Sequence, residues 1–451
     1  MSRIRSAFVE FARAEEGNLA VIFAIAILPM LVAVGAAVDY SRASLARTQM
    51  QNALDSTALM LARDLASNVI TTSQIPTKGP AYFSGLYTNK DAQNVSVTAS
   101  YTQGSGTTKS TVLVTAKAQI KTDFMQVVGF PLMSFDASST AVWGFNLLRV
   151  ALVLDNTGSM NDYNKIGALK TAANNLVTQL SGLAQNNGDV MISVVPFEVE
   201  VNIGKSYKSA TWLRWDLWDA NNTNSWGGTY CSGGSWFTKA ECLGHGYTWG
   251  DTQSTSDTSL WNGCVSDRDQ SYDVSSTVPS STATNFPADQ ERYCPVAALL
   301  PLTYNWSSVT STINSMTANG ATNQTIGLQW GWLSLLQQAP LNAPAEDPTK
   351  VYQHVIVLFT DGLNTADRWY GNGSSTSTQV DTRMKALCDA IKQTNTTIYT
   401  VQIDTDGAGQ SAVLPYCASS AGNFYMLTNP NQIATAFAAI GTQISQLRVA
   451  K

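Results

Sequence analysis

The stretch VALVLDNTGS, residues 150–159, joins five apolar residues to a short polar loop. A short apolar run bounded by turn residues is typical of a fully buried strand. The loop places a carboxylate and two hydroxyls at alternate positions, on Asp155, Thr157 and Ser159. Mg²⁺, Mn²⁺ and Ca²⁺ prefer such oxygen ligands, so the stretch predicts a divalent-cation site at the end of a buried strand.

Two later segments supply further oxygen donors. Thr322 lies in the polar segment NGATN, residues 319–323, and a second apolar run, HVIVLF at 354–359, leads into Thr360, Asp361 and Gly362. In an open α/β sheet, ligands bind in the loops outside the carboxyl ends of the strands. We therefore expect the three segments to meet at that edge of the sheet.

This order of motifs resembles the von Willebrand factor A-type domain and its metal-ion-dependent adhesion site. The family pattern is Asp-x-Ser-x-Ser, then a distant Thr, then an Asp in Thr-Asp-Gly. The matching residues, which the resemblance implies as ligands of Mg²⁺ (or Mn²⁺ or Ca²⁺), are Asp155, Thr157, Ser159, Thr322 and Asp361. Thr157 replaces the first Ser and keeps the hydroxyl. A simpler interpretation, in which Asp155 and Thr157 only cap a helix, leaves Thr322 and Asp361 unexplained.

The resemblance covers residues 146–451 and implies a Rossmann-like, doubly wound, mostly parallel sheet. The periodicity of the sequence independently predicts alternating elements. Predicted strands lie at 149–154, 190–196, 354–360 and 397–403, and predicted helices at 165–183, 323–337, 381–394 and 430–447. Strands that alternate with helices favour a parallel sheet covered on both faces.

An insertion at about 201–300 interrupts this alternation. It holds four of the six cysteines and seven of the twelve tryptophans. We expect a disulfide-stapled module whose tryptophans form its own core, with a recognition patch for a ligand as the alternative.

All six cysteines follow the N-terminal apolar segment. An even number on one side predicts disulfides formed in an oxidising compartment, whereas reduced, buried cysteines in a cytosolic protein are the alternative. The preferred partition joins Cys388 to Cys417. Two bridges among the remaining four cysteines allow three connectivities, which the sequence leaves open.

Residues 19–38 contain no charged side chain and are long enough to cross a hydrocarbon core of about 30 Å. We interpret them as an uncleaved transmembrane helix, with a cleaved signal peptide as the alternative. Arg3, Arg5 and Arg13 precede this segment, while Arg42 and Arg47 follow it, which slightly favours a cytoplasmic location for residues 1–18. The cysteines favour the periplasm or the cell exterior for the C-terminal domain.

An amphipathic helix is predicted at 39–67, where Met50, Leu54, Leu61 and Leu65 recur at helical spacing. This stripe packs either on the chain's own next domain or on another pilus-type subunit. Residues 68–145 contain two strand patterns and predict a small α+β spacer.

The segments EGNLAVIF (16–23), GAAVDY (35–40) and QNALD (51–55) make the N-terminal region similar to that of TadE/TadG-type pilus-assembly proteins. TadG-like members of that family carry this anchor before an exported A-type domain, which is the order here. Glu15-Glu16-Gly17 is similar to a type IVb prepilin cleavage site, but no glutamate stands at the fifth position after Gly17. We therefore do not expect a processed major pilin.

Composition argues against several classes of function. The net charge of -5 and the lack of a basic stripe disfavour nucleic-acid binding. With two histidines and no Walker motif, the chain offers few candidates for catalysis. We predict a non-enzymatic, membrane-anchored pilus-assembly protein of the Tad/Flp type that binds an Asp or Glu of an envelope partner through the metal ion. The alternative is a surface adhesin that recognises an extracellular ligand through the tryptophan-rich insertion.

Overall fold

The computed structural model of the chain describes residues 18–66, 69–102, 110–143, 146–184, 186–219, 231–233, 236, 238–250, 257–289, 294–348 and 350–448. The chain divides into two compact units, Met1–Phe145 with Ala450–Lys451, and Asn146–Val449. The N-terminal arginines, the cleavage-site resemblance at Gly17 and one insertion tryptophan, Trp226, lie outside the described residues.

The first unit begins with one long helix, α1, at Asn18–Ala66. It runs without a break through both the predicted anchor and the predicted amphipathic segment. Among the described residues, its section Ile25–Leu65 is the one helix long and apolar enough to cross a membrane, judged by length and composition. Large apolar side chains on its first half, such as Phe23 and Met30, are exposed within the unit.

The second half of α1 packs on a small antiparallel sheet. The remaining elements are α2 at Ile75–Leu86, β1 at Ala92–Thr102, β2 at Ser110–Lys121 and β3 at Leu132–Trp143, with the strand order β1-β2-β3. Met50, Leu54 and Leu61 are fully buried in one cluster with Val112 and Val114 of β2. The apolar stripe of the helix therefore packs within its own unit.

Asp39 ties α1 to the loop between β2 and β3. Its carboxylate accepts hydrogen bonds from the backbone N–H groups of Asp123, Phe124 and Met125, at 2.8 to 2.9 Å. These donors precede or open a short 3₁₀ helix at Met125–Val128, so the carboxylate satisfies N–H groups that have no partner inside the helix.

The second unit is an α/β domain. Its strands are β4 Leu147–Asp155, β5 Val190–Phe197, β6 Val201–Asn202, β7 Leu213–Arg214, β8 Cys264–Val265, β9 Phe286–Pro287, β10 Leu300–Thr303, β11 Tyr352–Thr360, β12 Thr396–Ile403 and β13 Phe424–Leu427. Its helices are α3 Lys165–Ser181, α4 Lys239–Gly244, α5 Trp306–Ser315, α6 Gln324–Leu333, α7 Thr378–Lys392, α8 Leu414–Cys417 and α9 Asn431–Arg448.

The central sheet has the order β10-β5-β4-β11-β12-β13. All neighbours are parallel except β10, which pairs antiparallel with β5. Every residue of β4 is buried, with Ala151 and Val153 in the apolar cluster on one face and Leu152 and Leu154 in the cluster on the other. The doubly wound, mostly parallel A-type fold predicted from the sequence is confirmed.

Short edge elements were not predicted. β10, α5 and β13 are absent from the sequence-based expectation, and both β10 and β13 are four-residue strands that are mostly half-buried. Strands this short at the edge of a sheet lack the continuous apolar run that marks β4 and β11.

The insertion is stapled and packs on the domain. Disulfides join Cys231 to Cys242, Cys264 to Cys294, and, outside the insertion, Cys388 to Cys417. Trp212, Trp218 and Trp261 are buried in the apolar cluster that also contains α6 residues. These three tryptophans form core, as the preferred interpretation predicted, but that core is shared with the A-type domain and is not the insertion's own.

Candidate metal centre

The centre forms where β4 and β11 end side by side. The two strands are parallel, and Leu154 pairs with Phe359, so Asp155 and Thr360 follow at the same level. The hydroxyl of Thr360 donates to one carboxylate oxygen of Asp155 at 2.5 Å. The backbone N–H of Thr157 donates to the other oxygen at 2.7 Å.

The loop after β4 then turns its hydroxyls toward Asp361. Ser159 Oγ donates to Asp361 Oδ1 at 2.7 Å and lies 3.3 Å from Thr157 Oγ1. Asp155 and Thr157 are 0% and 1% exposed, and Asp361 is 6% exposed. Four of the five predicted ligands thus form one connected group of oxygen atoms, in which Ser159 is half-buried and the other three residues are buried.

Thr322 reaches the centre through a third loop. Gly158 N–H donates to Gly320 O at 3.0 Å, which fixes this loop against the one that carries Ser159. The Thr322 hydroxyl oxygen lies 3.6 Å from the position that a Cβ would take on Gly362. Thr322 therefore lies beside Asp361, although no direct hydrogen bond joins it to the other four residues among the contacts described.

Burial and mutual repulsion shape the electrostatics of the two carboxylates. Burial, followed by the charge of Asp361, raises the pKa of Asp155 to about 7. Burial also raises the pKa of Asp361, against the opposing effect of Lys165 and Ser159. A site that holds two buried carboxylates close together favours the addition of positive charge.

Lys165 provides positive charge that sequence reasoning missed. Its side chain is 0% exposed, and Nζ lies 2.7 Å from Asp361 Oδ2 and 3.4 Å from Asp406 Oδ2. Thr360 was also missed as a partner of Asp155. The sequence signal for Lys165 is weak, because a lysine in the first turn of a helix usually faces solvent.

The insertion supports the loop that carries Thr322. Asn323 caps α6 by accepting from Ile326 N–H, and its amide donates to Asp267 Oδ2 at 3.0 Å. The backbone N–H of Arg368, in the loop after Asp361, donates to the same oxygen at 3.2 Å. Asp267 thus links two loops of the centre to the insertion.

The residues present fit a hard divalent cation. They offer carboxylate and hydroxyl oxygens, buried and clustered, with one ammonium against two carboxylates. Within the described ranges, no group of three or more His, Cys, Asp or Glu side chains is placed to hold a metal. A cation here would consequently depend on the hydroxyl donors.

Comparison with known proteins bears first on the N-terminus. The family described as "Putative Flp pilus-assembly TadE/G-like" matches residues 17–63. The N-terminal segment is TadE/G-like. This match confirms the resemblance drawn from the sequence and coincides with most of helix α1. No curated protein matches the chain.

Solved structures that resemble the chain include pilus proteins. SpaC, a pilus adhesin of Lactobacillus rhamnosus GG, is 12% identical, with 80% of this chain and 35% of SpaC covered, at a TM-score of 0.37. The vWF domain of Mfa5, a type V pilus tip protein of Porphyromonas gingivalis, is 11% identical, at a TM-score of 0.38. The match covers 68% of this chain and 98% of the Mfa5 domain.

A third similar structure is that of proximal thread matrix protein 1 of the mussel byssus, solved with a zinc-occupied MIDAS motif. It is 13% identical, at a TM-score of 0.32, and the match covers 68% of this chain and 48% of the byssus protein. The chain spans about a third of SpaC and about half of this byssus protein. These TM-scores are low, and the A-type fold of this chain rests on the strand order of its own sheet.

Proposed function

We propose that this chain is a membrane-anchored protein of Tad/Flp pilus assembly whose A-type domain binds a partner's Asp or Glu through a divalent cation, Mg²⁺ in the first instance. The proposed ligands are Asp155, Thr157, Ser159, Thr322 and Asp361. The observation that carries the proposal is the hydrogen-bonded, buried group of two carboxylates and two hydroxyls at the ends of adjacent parallel strands. The TadE/G-like N-terminus supports the pilus-assembly role.

The donor set favours binding over hydrolysis. Neutral hydroxyls neutralise less of a cation's charge than carboxylates would, and a bound cation would supply a Lewis acid that attracts a partner's carboxylate. The chain's own residues position the oxygens: Thr360 and the N–H of Thr157 orient Asp155, and Ser159 orients Asp361. This arrangement supports adhesion and offers no histidine to move a proton.

Two features support the proposed location in the cell envelope. Helix α1 is a candidate membrane anchor by length and composition. Three disulfides follow it, with no free cysteine among the described residues, and disulfides persist in oxidising compartments. We propose that the A-type domain lies in the periplasm or outside the cell.

The proposal is tested in cells that lack the chain and are complemented with variants. We expect the parent and an Asp162→Ala control, changed at a nearby exposed residue, to restore the number of pili per cell. Asp155→Ala is expected to reach the envelope in normal amount yet fail to restore pili. Full restoration by Asp155→Ala would contradict a role for the metal centre in assembly.

The surface-adhesin alternative gains little from the structure, since Trp212, Trp218 and Trp261 are buried. An anchor exchange separates the two functions. Replacement of residues 12–66 by an unrelated membrane anchor is expected to abolish association with pilus components. An adhesin would instead keep its ligand binding after this exchange.

A further inference from the structure

We propose that Lys165 is a built-in counter-ion of the metal centre, which holds Asp361 when no metal is bound and moves toward Asp406 when a divalent cation enters. This inference rests on the proposed metal-binding function. It adds a residue that sets the affinity for the cation.

The ammonium group of Lys165 forms an ion pair with the carboxylate that a metal ion would bind, that of Asp361. Nζ lies 2.7 Å from Asp361 Oδ2, while Ser159 Oγ donates to Asp361 Oδ1 at 2.7 Å. Oδ1 of Asp361 thus accepts a hydrogen bond, and Oδ2 lies in an ion pair. A cation that binds Asp361 has to compete with an ammonium that is part of the chain.

Burial makes this competition strong. The Lys165 side chain is 0% exposed, and lysine is almost never fully buried unless it is paired. The carboxylates of Asp155 and Asp361 lie at the centre, and the ammonium places a positive charge 2.7 Å from an oxygen of Asp361. The resident charge therefore weakens the attraction for any entering cation.

The backbone before Lys165 directs this side chain inward. Tyr163 and Asn164 have φ values of 52° and 58°, in the left-handed region that side chains rarely adopt. The chain turns there before α3 begins at Lys165. The left-handed conformation costs free energy at Tyr163, while Asn164 adopts it readily, and the turn sets the direction in which the Lys165 side chain leaves the helix.

Asp406 offers Lys165 a second position. Its Oδ2 lies 3.4 Å from Nζ, and its side chain is 46% exposed. The loop is held by Asp404, whose Oδ1 accepts from Gly407 N–H at 2.8 Å and whose Oδ2 accepts from Gly409 N–H at 2.9 Å. An ammonium displaced from Asp361 thus keeps a carboxylate partner that is fixed in place.

Calorimetric titration of Mg²⁺ into the full chain in detergent micelles tests the proposal. We expect Lys165→Met, which keeps the length of the side chain without its charge, to bind Mg²⁺ about tenfold more tightly than the parent, or better. Lys170→Met is the matched control on the same helix, because Lys170 contacts a backbone carbonyl, that of Asn314. The control should bind like the parent.

The Asp406→Asn variant tests whether Lys165 moves to Asp406 when Mg²⁺ binds or acts only through its charge. We expect it to weaken Mg²⁺ binding in the parent and to have little effect in the Lys165→Met background, since no ammonium then needs a second partner. An equal effect in both backgrounds would overturn the transfer of Lys165 to Asp406.

A measurement on the parent protein covers the case in which Lys165→Met does not fold. Amine acetylation, read by mass spectrometry, should modify Lys165 more readily when Mg²⁺ is present, because Lys165 moves toward a half-exposed carboxylate. Unchanged labelling at a saturating Mg²⁺ concentration would overturn the inference.

The outcomes distinguish the two proposals. If the parent binds Mg²⁺ and a folded Lys165→Met variant binds no more tightly, the counter-ion role fails and the metal site stands. If neither binds, both fail. If only Lys165→Met binds, Lys165 is confirmed as the competitor, and metal-dependent adhesion by the parent is contradicted.

Discussion

Among the buried charged residues of the A-type unit, two groups differ in the side chains that surround their carboxylates. The candidate metal centre has two buried carboxylates, of Asp155 and Asp361, surrounded by hydroxyls and one ammonium. The second group, here called the insertion cluster, contains four carboxylates and four guanidinium groups, and ion pairs join guanidinium groups to two of the carboxylates. It consists of Asp267, Asp269, Asp273, Asp367, Arg214, Arg268, Arg368 and Arg383.

Arginine engages two of the four carboxylates of the insertion cluster, those of Asp269 and Asp273. Asp269 accepts from Arg214 and from Arg368, each at 2.8 Å, on different oxygens. Asp273 accepts from Arg383 with both oxygens. Forked guanidinium contacts of this kind leave a carboxylate little capacity to bind a metal ion.

From this comparison we expect the surroundings of a buried carboxylate to indicate its role better than its burial does. Where guanidinium groups take the oxygens, the acid stabilises the fold. Where hydroxyls and a single lysine surround it, we propose that the acid can exchange the ammonium for a divalent cation. Substitutions in the insertion cluster should therefore lower stability, and substitutions in the candidate metal centre should weaken metal binding.

The largest expected effect on stability comes from Arg383→Met. It leaves Asp273, whose side chain is 1% exposed, without its guanidinium partner. We expect a loss of about 3 to 5 kcal/mol in the free energy of unfolding, measured by chemical denaturation. Mg²⁺ affinity of the folded variant should not change.

The control for this prediction is Asp216→Asn, because Asp216 is half-exposed in its pair with Arg214. We expect the control to change stability by less than about 1 kcal/mol. A loss by Arg383→Met as small as that of the control would show that the insertion cluster does not stabilise the fold.

Asp155→Asn should have the opposite effects to Arg383→Met, with a loss of Mg²⁺ affinity and no loss of stability. We expect at least about a hundredfold loss of Mg²⁺ affinity, since the variant removes a charged ligand. The stability of the metal-free protein should change little or rise, because the buried Asp155 carboxylate has a pKa raised to about 7 and the amide carries no charge. The measurement is the Mg²⁺-dependent shift in Tm, with Asp162→Asn as the control.

The pH dependence of stability tests one carboxylate of the insertion cluster, that of Asp267. Burial, with repulsion from Asp367 and Asp273, raises the pKa of Asp267 to about 8. The folded state therefore binds a proton that the unfolded state releases near pH 4, so this contribution to stability is complete below about pH 4 and is lost as pH rises toward 8. The slope is at most about 1.4 kcal/mol per pH unit.

Asp267→Asn is expected to flatten this part of the curve, measured by denaturation in EDTA between pH 4 and pH 8. The amide still offers an oxygen to the donors on Asn323 and Arg368. A variant that keeps the full slope of the parent would contradict the assignment of this proton to Asp267.

The smallest expected effect is that of Thr157→Ser, which restores the family's residue. We expect its Mg²⁺ affinity to stay within about threefold of the parent, because the hydroxyl ligand is retained. Thr157→Val, which keeps the shape and removes the hydroxyl, should lose about tenfold or more. Equal affinities for Ser and Val at this position would remove Thr157 from the ligand set.

The sequence predicted the strands that frame the candidate metal centre because their signals are local. β4 and β11 are continuous apolar runs, and Asp155, Thr157 and Ser159 follow one of them at fixed spacing. Parallel pairing then brings Asp361 to the same edge. The Cys388–Cys417 bridge was also predicted, and the structure selects Cys231–Cys242 and Cys264–Cys294 among the three possibilities left open.

The charges that distinguish the two groups could not be predicted in the same way. Lys165 meets Asp406 across 241 positions, and Arg383 meets Asp273 across 110. Such pairs depend on tertiary packing, which leaves no periodic or spacing signal in a single sequence. Lys165 and Arg383 lie on helices, where a lysine or an arginine is expected to face solvent.

The most direct test of the central claim is the location of bound Mn²⁺ by anomalous diffraction from crystals of the full chain. A single peak is predicted between the side chains of Asp155, Ser159 and Asp361, with Lys165 shifted toward Asp406, and no peak in the insertion cluster. A peak among Asp267, Asp273 and Asp367, with none at the ends of β4 and β11, would contradict the account.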